Sequence, residues 1–202
     1  KIIMTTTLHI KNMVCSRCIR VVRDELEALG LHVIRVALGG ATISGESLNM
    51  RQIQQRLQAN GFEILESATA KIVERIKTLI IELVHSDELT EMHDNLSDMI
   101  VNAIGRDYTS LSHLFSSVEA ITIERFFILQ KIERAKELLT YGELSASEIA
   151  YKLGYSSPAH LSRQFKQTTG FTPREFKTAW ATVQRIPLDE IGGQNSSSVR
   201  GS

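Results

Sequence analysis

Cysteine is scarce: the 202-residue chain holds two, Cys15 and Cys18, too few for the disulfide framework of a small secreted domain. Net charge is missing as well, since 23 Lys and Arg balance 23 Asp and Glu. Long apolar runs are absent. Pieces such as Leu79-Ile80-Ile81 fall far short of the roughly 18 residues that span a bilayer, and the first residues carry no signal-peptide pattern. These absences predict an intracellular, cytoplasmic protein with no membrane partner. What is present is ordinary soluble composition, 43% hydrophobic and 23% charged, which excludes disordered, collagen-like and rod-like coiled-coil chains. The length supports one large domain or two ordinary ones, with no cofactor required for folding. No nucleophile–base constellation, phosphate loop or pair of acids points to an enzyme.

The hydrophobic period divides the chain in two. Leu8-His9-Ile10-Lys11 alternates as a strand does, Ile19, Val22, Leu26 and Leu29 recur at helical spacing, and Val33 to Leu38 reads as strand again. Gly39-Gly40 marks a turn before the short strand Ala41-Thr42-Ile43-Ser44, which makes a hairpin. Met50, Ile53 and Leu57 form a second helical stripe, closed by Asn60-Gly61 before the strand Phe62-Glu63-Ile64-Leu65. The order βαββαβ predicts a ferredoxin-like layer of one sheet and two helices. Beyond Glu66 strand patterns stop, so the fold class is α+β, a mixed first domain followed by an all-α one. The boundaries fall at 1–68, 69–182 and a flexible tail over 183–202.

The helical half contains an internal repeat. Leu96-Ser97, Ile100, Gly105, Leu111, Phe115, Thr122 and Phe126 recur as Leu144-Ser145, Ile149, Gly154, Leu161, Phe165, Thr172 and Phe176. Each copy reads as a short helix ended by glycine, a tight turn, and a second helix whose Leu and Phe are four residues apart on one face. That is a helix-turn-helix. Ile123 to Leu139, free of Pro and Gly, predicts one long helix of about 25 Å between the copies.

The residues from Lys71 to Trp180 resemble the AraC-type DNA-binding domain. Ile132-Glu133-Arg134-Ala135-Lys136-Glu137-Leu138-Leu139, Ile149-Ala150-Tyr151-Lys152-Leu153-Gly154-Tyr155, Leu161-Ser162-Arg163-Gln164-Phe165-Lys166 and Gly170-Phe171-Thr172-Pro173 carry the likeness. It implies two helix-turn-helix units whose second helices enter successive major grooves of double-stranded DNA. If Leu161 and Phe165 face the core, Ala159, His160, Arg163, Gln164 and Gln167 are left on the outer surface. Arg163 is the candidate base reader, because an arginine can bind guanine through two hydrogen bonds. Lys166 and Lys152 suit phosphate. In the first copy Thr109 to Ser117 has neither Lys nor Arg, and His113 stands where the second copy has Arg163. Ser110, Ser112 and His113 can still hydrogen-bond to bases or phosphates, but with little charge, so this unit is expected to read weakly, by shape, or to serve as scaffold.

The neutral total hides an asymmetry. Lys71 to Thr140 carries 8 basic and 12 acidic residues, whereas Ala150 to Trp180 carries 5 basic residues and Glu175 alone. The positive patch therefore belongs to the second unit, and its modest size predicts a shallow salt dependence of DNA binding.

The first domain resembles the heavy-metal-associated ferredoxin-like domain of copper chaperones and metal-pumping ATPases. The likeness rests on Asn12-Met13-Val14-Cys15-Ser16-Arg17-Cys18, the helix to Leu29-Gly30, and Asn60-Gly61-Phe62. Cys15 falls in the loop and Cys18 in the first helical turn, where amide N–H groups and the helix dipole favour thiolate. Two thiolates make a soft site of low coordination that suits Cu(I), with Zn(II) possible if two more ligands arrive. Asn12 departs from the family's usual glycine, and Ser16, Arg17 and Arg20 surround the thiols. Nearby cations lower thiol pKa values, partly offset the charge of a bis-thiolate copper site, and favour an anionic ligand or a redox-active dithiol over a site meant to pass copper to a partner. Metal binding, a thiol switch and a sensor for something else therefore stay open. Met13 reads as a core plug, and His9, His32, His85 and His93 have no ligand spacing.

Together these readings predict a sequence-specific transcriptional regulator that responds to a soft metal or thiol state through Cys15 and Cys18, with a homodimer left open as its assembly. The other class is a metal-carrier or thiol-redox protein whose helical half is a protein-interaction scaffold.

Overall fold

The computed structural model describes residues 4–45, 47–86, 89 and 95–183. His93 and the tail from residue 184 onward lie outside the described residues. The chain forms two compact units, Lys1–Gln130 and Lys131–Ser202.

The first unit begins β1 (Met4–Lys11), α1 (Ser16–Ala28), β2 (His32–Ala37), β3 (Gly40–Gly45), α2 (Met50–Ala59) and β4 (Glu63–Ile64). The strands form one antiparallel sheet in the order β2-β3-β1-β4. The alternation in β1 sets its faces: Leu8 and Ile10 are buried, while Thr7 and His9 are exposed. Leu8, Ile10, Val36, Ala41 and Ile43 form the core with Val22, Leu26, Ile53 and Leu57 of the two helices. Met13 and Phe62 complete that core.

The last strand is shorter than its apolar pattern predicts. The amide of Phe62 donates to the Leu57 carbonyl at 3.0 Å and so closes the end of α2 through Gly61, which has φ +80°. Phe62 is thereby withdrawn from the ladder, and only Glu63 and Ile64 pair with β1, followed by the Leu65 amide bonding to the His9 carbonyl at 2.8 Å.

Helix α3 (Ala68–His85) follows at once, capped by the Ser67 hydroxyl, which accepts from the Ala70 amide. It packs on α4 (Leu96–Ile104) and α5 (Tyr108–Glu119), burying Val73, Ile76, Ile80, Ile81, Leu83 and Val84. The apolar stripe of this helix is thus core of the first helix-turn-helix. α6 (Ile123–Tyr141) starts in the first unit, with Phe126 edge-on to Phe115 at 5.7 Å between centroids.

The second unit comprises the end of α6, α7 (Ala146–Lys152), α8 (Pro158–Thr169) and α9 (Pro173–Val183). Ile132, Ala135, Leu139, Ile149, Leu161 and Phe165 are buried. Phe165 meets Phe176 edge-on at 5.5 Å, the counterpart of the Phe115–Phe126 pair. Each such phenylalanine contributes roughly 1.5–3 kcal/mol by burial, and so fixes which face of its helix points outward.

Candidate functional site

The second helix-turn-helix is built by local capping. Ser145 and Glu148 form a capping box at the start of α7, with bonds of 3.2 and 2.7 Å. The turn through Gly154, at φ +65°, leads to Ser157, whose hydroxyl caps α8 at the His160 amide. Pro158 supplies the first helical residue and Gly170, at φ +83°, ends the helix. Leu161 and Phe165 point inward, and Ala159, Arg163 and Gln167 form an exposed stripe four residues apart. Gln164 is half-buried beside it.

Around that stripe the remaining candidates differ in how far they are committed. His160 is half-buried, edge-on to Tyr155 at 5.3 Å, with Nδ1 3.4 Å from the Ser156 hydroxyl. Lys166 is exposed, yet its charge falls on Glu175. That carboxylate is held below the ordinary range chiefly by hydrogen bonds from Thr172 at the start of α9, with Lys166 adding to the effect. Lys152 is half-buried at the end of α7.

In the first copy Asp107 caps α5 at the Ser110 amide, 2.8 Å away. Ser110 and His113 are exposed and Ser112 is half-buried, so the outward stripe is Thr109, His113 and Ser117. The Tyr108 hydroxyl donates to the Glu124 carboxylate and ties the helix to α6, while burial and that carboxylate raise the phenol's pKa. At the far end of α5 stands Ala120 at φ +57°, where the second copy has Gly170.

In the CxxC loop Cys15 is the residue preceding α1, exposed, and its sulfur lies 3.5 Å from that of half-buried Cys18. Desolvation pushes the Cys15 thiol up, but hydrogen bonds from Cys18 and the Arg17 amide, helped by the Arg17 charge, outweigh it and leave the pKa below the ordinary value. Asn12 adopts φ +71°, a left-handed conformation that explains a glycine preference there and that asparagine tolerates. Its side-chain amide donates to the Gly61 carbonyl at 3.0 Å, and its backbone N–H donates to the Glu74 carboxylate of α3 at 3.3 Å. Among the described residues no cluster of three or more His, Cys, Asp or Glu could hold a metal, and no helix is long and apolar enough to cross a membrane.

One polar chain was not anticipated from sequence. Glu74, 7% exposed, pairs with Lys77 at 3.4 Å, and the Lys77 ammonium bonds to Glu119, the last residue of α5, at 3.2 Å. The Glu74–Lys77 spacing was a signal; its partners, 62 residues back at Asn12 and 42 residues on at Glu119, were not.

Residues 100–179 match the helix-turn-helix domain family. The matched residues run from α4 into α9 and include both outward stripes. Among individual proteins, the chain is 31% identical over 86 residues to an uncharacterised HTH-type transcriptional regulator of Staphylococcus aureus, covering 42% of this chain and 12% of that protein. It is 28% identical over 92 residues to the arabinose operon regulatory protein of Salmonella typhimurium, covering 46% of this chain and 32% of the relative. The chain thus spans a third or less of the length of these relatives. A DNA-binding transcriptional dual regulator of Escherichia coli K-12 superposes with a TM-score of 0.47 at 20% identity, over 56% of this chain and 94% of that one.

Proposed function

We propose that this chain is a sequence-specific transcriptional regulator of the AraC type. In this reading 1–68 is a ferredoxin-like sensor domain and 69–182 binds double-stranded DNA. The observation that carries the DNA-binding half is the exposed stripe Ala159, Arg163 and Gln167 on a capped helix whose other face is locked by Leu161 and Phe165. Arg163 reads a base, flanked by Gln164 and His160. Lys166 and Lys152 contact phosphate, and Ser110, Ser112 and His113 make the weaker contacts of the first unit. The sheet order β2-β3-β1-β4 with both helices on one face supports the ferredoxin-like assignment.

The signal received by the sensor is a soft metal ion or the thiol state of Cys15 and Cys18. The two sulfurs, 3.5 Å apart, are closer than twice a typical metal–sulfur bond of about 2.3 Å, so one ion can reach both. With no further ligand cluster among the described residues, the pair suits Cu(I) better than Zn(II), which prefers four ligands. Bound there, the ion would supply positive charge to two thiolates. The lowered Cys15 pKa favours the thiolate that either a metal or an oxidant requires. Asn12, Glu74, Lys77 and Glu119 then connect the loop to the end of α5 through polar contacts alone.

The test is selection of bound sequences from random duplexes with reduced apo-protein, repeated with Cu(I). Enrichment of a defined sequence is expected, with affinity altered by Cu(I) in the native protein and unaltered in a Cys15→Ser/Cys18→Ser variant. Absence of any enriched sequence would overturn the DNA-binding reading. Identical binding by the native and double-serine proteins under every metal and redox condition would overturn the sensor.

A further inference from the structure

A cavity of about 370 Å³ lies against β1, the β2–β3 hairpin and α3 in the first unit, and neither thiol is among its lining residues. Its lining carries three full positive charges, Arg35 of β2 and Lys71 and Arg75 of α3, together with the imidazole of His9. Lys71, Glu74, Arg75 and Thr78 recur at the spacing that puts them on one face of a helix. Opposite them is the outward, polar face of the sheet. At one end the wall is tight: a Cβ on Gly39 would come within 2.8 Å of the Thr78 hydroxyl. A side chain there would push the hairpin off α3.

Glu74 is the one acid of the lining, and its charge is already engaged. One carboxylate oxygen accepts from the Asn12 amide at 3.3 Å and the other faces the Lys77 ammonium at 3.4 Å. Among the described residues no carboxylate forms an ion pair with Arg35, Lys71 or Arg75. Like charges around a partly enclosed space repel one another more strongly than they would in bulk water. The His9 imidazole registers this field: burial first, and the Lys71 charge second, hold its pKa below the ordinary value.

We propose that this cavity binds a small polyanion, a molecule bearing phosphate or several carboxylates. Its volume lies within the range of small-molecule sites. Arg35 and Arg75 are exposed and offer planar forks suited to phosphate or carboxylate oxygens, while half-buried Lys71 supplies a point charge. A concave site of this kind favours a discrete ligand over a stretch of DNA backbone, which follows a ridge of cations. The site is independent of the metal and DNA-binding readings, since it shares no side chain with either candidate interface.

Calorimetric titration of the reduced protein with pyrophosphate, and separately with citrate, distinguishes the phosphate from the carboxylate source. One saturable site is expected for at least one probe, with a dissociation constant below about 1 mM at low salt. Affinity should fall about tenfold or more in Lys71→Gln/Arg75→Gln and in the separate variant Arg35→Gln, and stay unchanged in Cys15→Ser/Cys18→Ser. The His9 ring signals in NMR should move in step with saturation. Absence of saturable binding by both probes overturns the proposal, as does undiminished binding in both cation variants or static His9 signals. So does a fall in the salt dependence of DNA binding in those variants without any small-anion site.

Discussion

Lys131 offers a direct measure of what holds the second helix-turn-helix together. It is 8% exposed on α6, and its ammonium lies 3.8 Å from the centroid of the Tyr155 ring. Tyr155 in turn supports His160 at the start of α8. Burial lowers the Lys131 pKa to about 8. Against an ordinary lysine near 10.4 the shift is a little over two units, and at about 1.36 kcal/mol per unit the native state bears roughly 3 kcal/mol for keeping this charge below pH 8. The sign follows from proton counts. Between pH 8 and about 10.4 the unfolded chain holds more protons at this site, so stability rises with pH across that window, whereas below it both states are protonated and the full penalty applies. Lys131→Met removes the charge and keeps most of the volume. After subtracting about 1–2 kcal/mol for the contacts the ammonium loses, the cation–π contact among them, the variant should gain about 1 kcal/mol at pH 7 and lose the rise above pH 8. Urea denaturation at pH 7, 8, 9 and 10 measures this through the single tryptophan, Trp180, which stacks on Phe176 in the same unit. Taking the difference between the two proteins cancels other groups that titrate there. A variant less stable at pH 7, with the native protein's pH dependence intact, refutes the reasoning.

Arg163→Ala should weaken binding to a selected DNA site by about 5- to 100-fold, the loss of one bidentate base contact, and leave the salt slope unchanged in anisotropy titrations. An equal loss on all sequences would assign Arg163 to phosphate instead. Ala120→Gly should stabilise the first unit by about 1 kcal/mol, because alanine at φ +57° bears a left-handed strain that glycine escapes; chemical denaturation checks it, and a loss of stability contradicts it. Lys77→Met should leave metal or oxidant chemistry at Cys15 and Cys18 intact in thiol-reactivity assays while abolishing any effect of that chemistry on DNA binding. Unaltered coupling in this variant rules out the Glu74–Lys77–Glu119 chain as the route.

Period and capping made most of the architecture legible. Leu8 and Ile10 announced an inward strand face, Gly30 and Gly61 the ends of two helices, and the repeated Leu–Phe pairs the two helix-turn-helix units, because each depends on neighbours within a few residues. The outward face of α8 was legible for the same reason: once Leu161 and Phe165 face inward, helix geometry dictates where Arg163 points. Phe62 was misread as strand because its apolar character is equally suited to closing α2, and the amide bond to Leu57 decides between them. Ala120 itself gave no warning: its repeat mate Gly170 marks the left-handed turn, and alanine adopts it at φ +57°. The ion chain and the cationic cavity escaped for a different reason. Both depend on α3 lying across elements distant in sequence, and a helix that is half apolar and half charged reads the same whatever its charged face meets.

That charged face gives α3 a part that its apolar stripe does not reveal. Val73, Ile76 and Ile80 hold it to the first helix-turn-helix as any core helix is held. Its polar positions instead divide among three neighbours: Glu74 receives the Asn12 amide of the thiol loop, Lys71 and Arg75 line the cavity beside the sheet, and Lys77 reaches Glu119 on α5. Two carboxylates share one ammonium in this chain, so it holds a surplus negative charge in a poorly solvated place, where added charge weighs more than at an exposed surface. Cu(I) held by both sulfurs displaces their protons and leaves a bis-thiolate site that is net negative, so the metal and an anion in the cavity both add negative charge beside the Glu74 carboxylate. Either can shift a conformational equilibrium only by the difference in its affinity for the two states. The two inputs are therefore expected to antagonise each other through Glu74, and neutralising that one carboxylate as Glu74→Gln should uncouple them while each ligand still binds its own site.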